Sequence, residues 1–231
     1  MDRRTFIKRS GAGAAAAALP MLMSQCGRGG ERPNILYIMT DDHAFQAISS
    51  YGGRLNRTPH IDRLASEGVR FTGSFCTNSI CAPSRAVLLT GKYSHENGVI
   101  DNREVFDGSQ RTFPKLLRRA GYETAMIGKW HLKSEPEGFD YWNILPGQGH
   151  YYNPDFIEMG EKKRIEGYVT DLITDFSLEW LEKRQADKPF CLLLHHKAPH
   201  RNWMPAPDKL SLFRNEKLPL APRFWPSLSM Q

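Results

Sequence analysis

Short apolar runs alternating with helical segments constrain this chain's fold more than any other feature of its sequence. Ile35-Leu36-Tyr37-Ile38-Met39 is uninterrupted and apolar, as expected of a strand covered on both faces, and it runs into Asp41-Asp42. Thr58-Pro59 predicts a helix through Leu64 and Ala65, with Thr58 as cap, Pro59 in the first turn and Gly68 just past the end. Val69 to Phe75 alternates like a second strand, and Pro83 to Thr90 reads as a short helix stopped by Gly91. Thr112 caps a helix from Phe113 to Ala120, Gly121 stops it, and Tyr122 to Ile127 follows as a strand. The longest helix runs from Tyr168 to Arg184, with Leu172, Phe176, Trp180 and Leu181 on one face. Phe190 to Leu194 is a further buried strand.

This order predicts an α/β fold with a largely parallel sheet. In such sheets reactive groups gather where strands end at their carboxyl edge. Three polar clusters stand at predicted strand ends: Asp41-Asp42, Lys129-Trp130-His131, and His195 to His200. Their coincidence marks a site that no single cluster would mark.

Composition excludes several function classes. At 231 residues the chain holds one domain or two, and 40% hydrophobic with 24% charged residues is an ordinary globular mix. Four cysteines are too few for a disulfide scaffold. The net charge of +6 is mostly local: residues 1–30 carry five basic residues against Asp2, which leaves 26 basic against 24 acidic in residues 31–231. A nearly neutral body does not indicate a nucleic-acid surface.

Residues 1–30 read as a signal peptide: Arg3, Arg4, Lys8 and Arg9, then a mostly small or apolar stretch from Gly11 to Met23. Arg3-Arg4 before Phe6-Ile7-Lys8 is similar to a twin-arginine export signal, which implies a periplasmic or cell-surface protein. Cys26 stands where the lipidated cysteine of a bacterial lipoprotein would, although Gln25 is a poor neighbour for that cleavage. No other stretch is apolar for long enough to predict a transmembrane span.

Cys81-Ala82-Pro83-Ser84-Arg85 is the sharpest chemical signal. A cysteine before a proline at a helix start stands beside unpaired backbone N–H groups, where an anion binds, and Arg85 one turn along can fork two donors onto it. A buried cysteine ahead of an ordinary Pro-initiated helix fits the same residues. Asp41-Asp42 is either a turn or cap, or a pair of carboxylates neutralised by Ca²⁺ or Mg²⁺. Lys129 and His131 are either a surface lysine and a satisfied histidine, or a point charge and a proton acceptor. His195 and His196 have the right type for zinc, but adjacent strand residues point to opposite faces and do not share an ion. Cys191 reads as packing, and a Cys76–Cys81 bridge is disfavoured.

Residues 81–91, Cys-Ala-Pro-Ser-Arg-Ala-Val-Leu-Leu-Thr-Gly, resemble the signature of the type I, formylglycine-dependent sulfatases of the alkaline phosphatase superfamily. Pro33-Asn34 with the apolar run to Asp41-Asp42, Gly128-Lys129-Trp130-His131-Leu132, and Ala198-Pro199-His200 resemble the family's other motifs. The resemblance runs from Arg32 to about Pro205. It implies an alkaline-phosphatase-like sandwich, a large and mostly parallel central sheet flanked by helices, with residues 31–231 its N-terminal portion. It also implies that a formylglycine-generating or sulfatase-maturing enzyme oxidises Cys81 to formylglycine, whose hydrate is the nucleophile. Unmodified Cys81 would by analogy be a poor one. Ca²⁺ (or Mg²⁺) would be held by Asp41, Asp42 and the modified Cys81. Arg85 and Lys129 would oppose charge on the sulfate, and Lys197 could reach the site. His131 would take a proton from the formylglycine hydroxyl, and His200 would help protonate the departing sugar oxygen.

The aromatic stretch from Gly138-Phe139-Asp140-Tyr141-Trp142 through Tyr151-Tyr152-Asn153-Pro154-Asp155 reads as a loop that stacks on sugar rings or as a structural clamp. It and His196 to Pro205 look similar to bacterial N-acetylglucosamine-6-sulfatases acting on heparan-type or mucin glycans. The chain departs from the family in length, which is usually about twice as great. It also departs after His200, where no second Asp-Asn or Asp-His pair and no further active-site lysine appear. The expectation is an incomplete chain, inactive alone. The alternatives are a noncatalytic remnant that binds sulfated glycans, and a phosphonate or phosphate monoester hydrolase of the same superfamily.

Overall fold

The computed structural model describes residues 32–53 and 55–218. The expected export leader over residues 1–30, with Cys26, lies outside the described residues. No described helix is long and apolar enough to cross a membrane.

Among the described residues six strands build one sheet: β1 (Ile35–Met39), β2 (Glu123–Lys129), β3 (Tyr141–Leu145), β4 (Asp155–Glu158), β5 (Glu161–Arg164) and β6 (Phe190–His195), in the spatial order β1-β6-β2-β3-β4-β5. The β1–β6, β6–β2 and β2–β3 pairs are parallel, and β3–β4–β5 turns antiparallel. The mostly parallel α/β sheet expected from the alternation is therefore present. Helices cover both faces, as a sheet buried on two sides requires. Along β6, Cys191 and Leu193 face one apolar layer, while Leu192 and Leu194 face the other. The first layer holds Ala82, Ala86 and Leu89 of α2 (Cys81–Thr90) with Met126, Trp130 and Trp142. The second holds Val169, Ile173 and Trp180 of α5 (Val169–Lys183) with Ala125, Ile127 and Phe156. Each of these large apolar side chains contributes roughly 1.5–3 kcal/mol on burial.

Several local expectations change. Among the described residues β1 is the outer strand of the sheet, and one of its faces is open: Leu36 and Ile38 are 48% and 52% exposed. Val69 to Phe75 forms no strand; it has no ladder partner, and Phe75 is 93% exposed. Alternation alone does not make a strand without an edge to pair with. Helix α1 (Pro59–Glu67) starts and stops where Pro59 and Gly68 predict, but Thr58 does not cap it through its side chain. The hydroxyl donates instead to Asp62 at 3.0 Å. Nor does Thr112 cap α4 (Phe113–Arg119), and its hydroxyl is buried without a partner. Between these lies the short α3 (Ser94–Asn97). In α5 the buried stripe is Val169, Ile173, Ser177 and Trp180, with Leu172, Phe176 and Leu181 flanking it. Ser177 is tolerated there because its hydroxyl donates to the Ile173 carbonyl at 2.7 Å.

The aromatic stretch divides between core strand and loop, with residues 146–151 outside any strand. Trp142 lies in β3, and Phe139, Trp142 and Tyr151 are all buried. These three buried side chains act as a structural clamp, while Tyr141 and Tyr152 are half-buried.

Candidate active site at the carboxyl edge of the sheet

Strand register assembles the site. Met39, His195 and Gly128 are partners across β1, β6 and β2, so these parallel strands finish level with one another. The polar clusters follow directly after those three residues. Gly128 makes this close approach possible: its φ is +106°, and a Cβ there would stand 2.1 Å from the His195 carbonyl oxygen. The Asp41 N–H donates to the Ala198 carbonyl at 3.1 Å, and the His196 N–H to the Met39 carbonyl at 2.8 Å, which ties the loops after β1 and β6 together.

Helix α2 approaches from one face. Ala82, Ala86 and Leu89 recur at helical spacing and bury its stripe, and Gly91 ends it in a left-handed conformation at φ +67°. The helix begins at Cys81, two residues earlier than Pro83 suggests, after Ile80 in extended conformation. The expected open row of N–H donors beside the cysteine is not there. The Ala82 N–H donates to Asn102 Oδ1 at 3.0 Å, and Pro83 has none to give. Side-chain cations carry the positive charge instead.

Cys81 Sγ stands 3.8 Å from Asp41 Oδ1 and 3.8 Å from Lys129 Nζ. Asp41, Arg85 and Lys129 are buried. Lys129 Nζ donates to Asp41 Oδ2 and, at 2.5 Å, to Gln148 Oε1. Arg85 Nη2 lies 3.5 Å from the same Asp41 oxygen, and Nη1 donates to the Lys129 carbonyl and to His195 Nδ1 at 3.1 Å. Burial works against the Asp41 carboxylate, yet its bond and charge pairing with Lys129, with the Arg85 charge, hold it below the usual carboxylate range. Two buried cations against one buried carboxylate leave the pocket positive, which suits an anionic ligand. A cavity of about 190 Å³ opens here, walled by Asp41, Asp42, Cys76, Cys81, Ser84 and Arg85.

The histidines divide by environment. Burial, with the nearby Lys129 and Arg85 charges, pulls His131 down to about 4, so it is neutral near pH 7. His200 is buried; its Nδ1 donates to the Arg201 carbonyl at 2.5 Å, and Nε2 lies 3.6 Å from Asp42 Oδ2. Lys197 is buried with Nζ 4.8 Å over the Tyr151 ring. Burial, then the Lys129 charge, lowers its pKa, against the pull of Asp41 and Cys81. Cys76 and Cys81 are free thiols, and Cys191 is buried in β6, where desolvation pushes it up to about 11.

Asp41, Cys81 and His200 offer ligand atoms within 4.8 Å of one another, the group among the described residues that could hold a metal ion. Asp42 stands beside that trio, at φ +57° and against His200. A carboxylate, a sulfur and an imidazole together suit a transition metal. Asp41 and Asp42, with oxygens in place of the sulfur and without the imidazole, would make a set for Ca²⁺ or Mg²⁺. Neither His195 nor His196 belongs to the trio.

Two residues of this site were not legible as such in the sequence. Gln148 lies in the turn after β3, the fourth parallel strand, between Gly147 and Gly149 at positive φ; a polar residue bracketed by glycines after a strand was the available signal. His195 was weighed for zinc and set aside, which left it without a role, while its partner is Arg85, 110 residues away.

A family model described as Sulfatase matches residues 33–216. The chain is 58% identical over 192 residues to an N-acetylglucosamine-6-O-sulfatase of Bacteroides thetaiotaomicron, covering 82% of this chain and 34% of that one. It is 30% identical to the N-acetylglucosamine-6-sulfatase of Homo sapiens, covering 81% of this chain and 38% of that one. A solved structure, described as in complex with its substrate D-glucosamine-2-N,6-O-disulfate, superposes with a TM-score of 0.82 at 57% identity, over 83% of this chain and 40% of that chain. The chain thus spans little more than a third of the length of the curated relatives it matches.

Proposed function

The chain belongs to the sulfatase family, and from that premise we propose that its protein hydrolyses sulfate esters of glycans, with 6-O-sulfated N-acetylglucosamine as the sugar attacked. The observation that carries this reading is Cys81 Sγ at the start of α2, 3.8 Å from both Asp41 and Lys129, with Arg85 one turn along on the same carboxylate. The relatives' activities and the disulfated glucosamine in the matching structure support the substrate class.

In this reading Cys81 is converted to formylglycine by a maturing enzyme, and a hydrated aldehyde there supplies an oxygen nucleophile in place of a thiol. Asp41, Asp42 and the converted Cys81 would hold Ca²⁺ or Mg²⁺, which would supply positive charge to a sulfuryl oxygen and lower the pKa of a bound oxygen acid. Lys129 and Arg85, fixed by burial and by their shared carboxylate, oppose the negative charge that grows on the sulfuryl oxygens. Neutral His131 takes up a proton from the reacting hydroxyl. His200 commits Nδ1–H to the Arg201 carbonyl, which leaves Nε2 to deliver a proton to the departing sugar oxygen. We extend the proposal to export: Arg3-Arg4 address the protein to the periplasm or cell surface, and Cys26 offers a lipid anchor.

Release of inorganic sulfate from 6-O-sulfated N-acetylglucosamine tests the reading, run beside the phosphate ester of the same alcohol. Faster sulfate release supports it; preference for the phosphate ester would move the protein to another branch of the superfamily.

A further inference from the structure

His195 is one of the most deeply buried polar side chains of the fold, and none of the roles assigned above uses it. It ends β6 between Met39 and Gly128 and points to the same face as Cys191 and Leu193, the face α2 covers. Three groups among the described residues meet its ring, one of them the Lys129 backbone. Tyr37 of β1 packs edge-on at 5.8 Å between ring centroids, and Arg85 Nη1 approaches Nδ1 at 3.1 Å.

The Arg85 contact fixes the state of the ring. A guanidinium has only donors, so in this bond Nδ1 is the acceptor and His195 is neutral with its proton on Nε2; the other tautomer would turn Nδ1–H to the Lys129 backbone instead. The Nε2–H donor then points into the interior, buried and without a partner among the described residues. A fold rarely keeps such a group unless its other nitrogen serves a purpose. Arg85 shows the purpose from the other side. It is buried, Nε has no partner, and its fixed bonds run to the Lys129 carbonyl, Asp41 and His195. Without His195, the guanidinium would lose an acceptor that sets its rotation while keeping the charge that ties it to Asp41.

We propose that His195 is a positioning residue for the reaction: by accepting a hydrogen bond from Arg85 Nη1, it fixes the plane in which that guanidinium faces the group at Cys81. The inference rests on the sulfatase reading, because it concerns how Arg85 meets a sulfuryl oxygen. It adds a requirement that the cysteine motif alone does not contain. The Cys-x-Pro-Ser-Arg segment needs a neutral acceptor at the end of β6, and Gly128 must lack a side chain so that β2 can lie against that residue.

The test compares wild type, His195→Leu and His195→Asn in the mature protein. Leu fills the space and accepts nothing, whereas the Asn oxygen can stand where Nδ1 stands. His195→Leu should lower kcat about 10- to 100-fold, the range for losing one hydrogen bond to a charged group, with KM moving less than threefold. His195→Asn should restore most of that loss. Imidazole ¹⁵N spectra of the wild type, with the His195 signal identified by its absence in His195→Asn, should show the proton on Nε2. The proposal is overturned if His195→Leu keeps wild-type kcat, if its loss falls on KM alone, if Asn does no better than Leu, or if the proton sits on Nδ1. Should His195→Leu fail to fold, His195→Asn and the tautomer decide. A wild type with no sulfate release sinks the functional reading instead, and the tautomer still reports whether the His195–Arg85 bond exists.

Discussion

Gly128 and His195 lie side by side at the ends of β2 and β6, so close that a Cβ on Gly128 would stand 2.1 Å from the His195 carbonyl oxygen. This contact sets the spacing of the two strand ends that deliver Lys129 and the loop to His200. Gly128→Ala must therefore push the strands apart as well as strain a backbone at φ +106°. We expect it to destabilise the fold by about 3 kcal/mol or more. Gly147→Ala, also at positive φ but with nothing within 4 Å, should cost only about 1–2 kcal/mol. Urea denaturation of the pair checks this; equal losses would show that the strand contact is not the cause.

Lys129→Met removes the cation that donates to Asp41 and leaves the buried carboxylate to Arg85 at 3.5 Å. Breaking one side of a buried pair typically costs about 3–5 kcal/mol. The variant should also lose sulfate release, and Lys129→Arg should not rescue it, because a forked guanidinium does not fit the space of a point charge. A stable, active Lys129→Met protein would refute this view of the cluster.

Acid should weaken the fold before its carboxylates protonate. His131 at about 4 and the strongly depressed His195 both stay neutral when folded, whereas an unfolded histidine protonates near pH 6.5. Below pH 6.5 the unfolded chain therefore binds more protons, so stability falls as pH drops from about 6.5 toward 4. We expect a loss of about 3–4 kcal/mol between pH 7 and 5, roughly half from each histidine. His131→Gln should flatten part of that slope; an unchanged slope would place its origin elsewhere.

Trp142 tests the aromatic segment. As a buried residue of β3 it should cost about 3–5 kcal/mol on truncation to Ala. A sugar-stacking surface residue would cost little stability and raise KM instead.

Much of the fold was legible because its signals are local. Pro59 and Gly68 bracket α1, Gly91 closes α2, and the apolar run at Phe190 could only be a buried strand. The α/β class and the three polar clusters at strand ends followed from that alternation. What was not legible depends on partners distant in sequence. Among the described residues, Val69 to Phe75 has the period of a strand but no neighbour, and β1 has a neighbour on one side only. Tyr141 to Leu145 was obscured by surrounding glycines and prolines, so Gln148 in the turn after it was missed as well. His195 looked like a ligand because residue type is visible in a sequence, whereas its hydrogen-bond partner is not.

The mass of the peptide that carries Cys81, taken from protein whose sulfate release has been measured, tests the account most directly. The account predicts an aldehyde at residue 81 in the active protein, and loss of both the aldehyde and the activity in Cys81→Ala, with the fold retained. An unmodified thiol at Cys81 in protein that releases sulfate would contradict it.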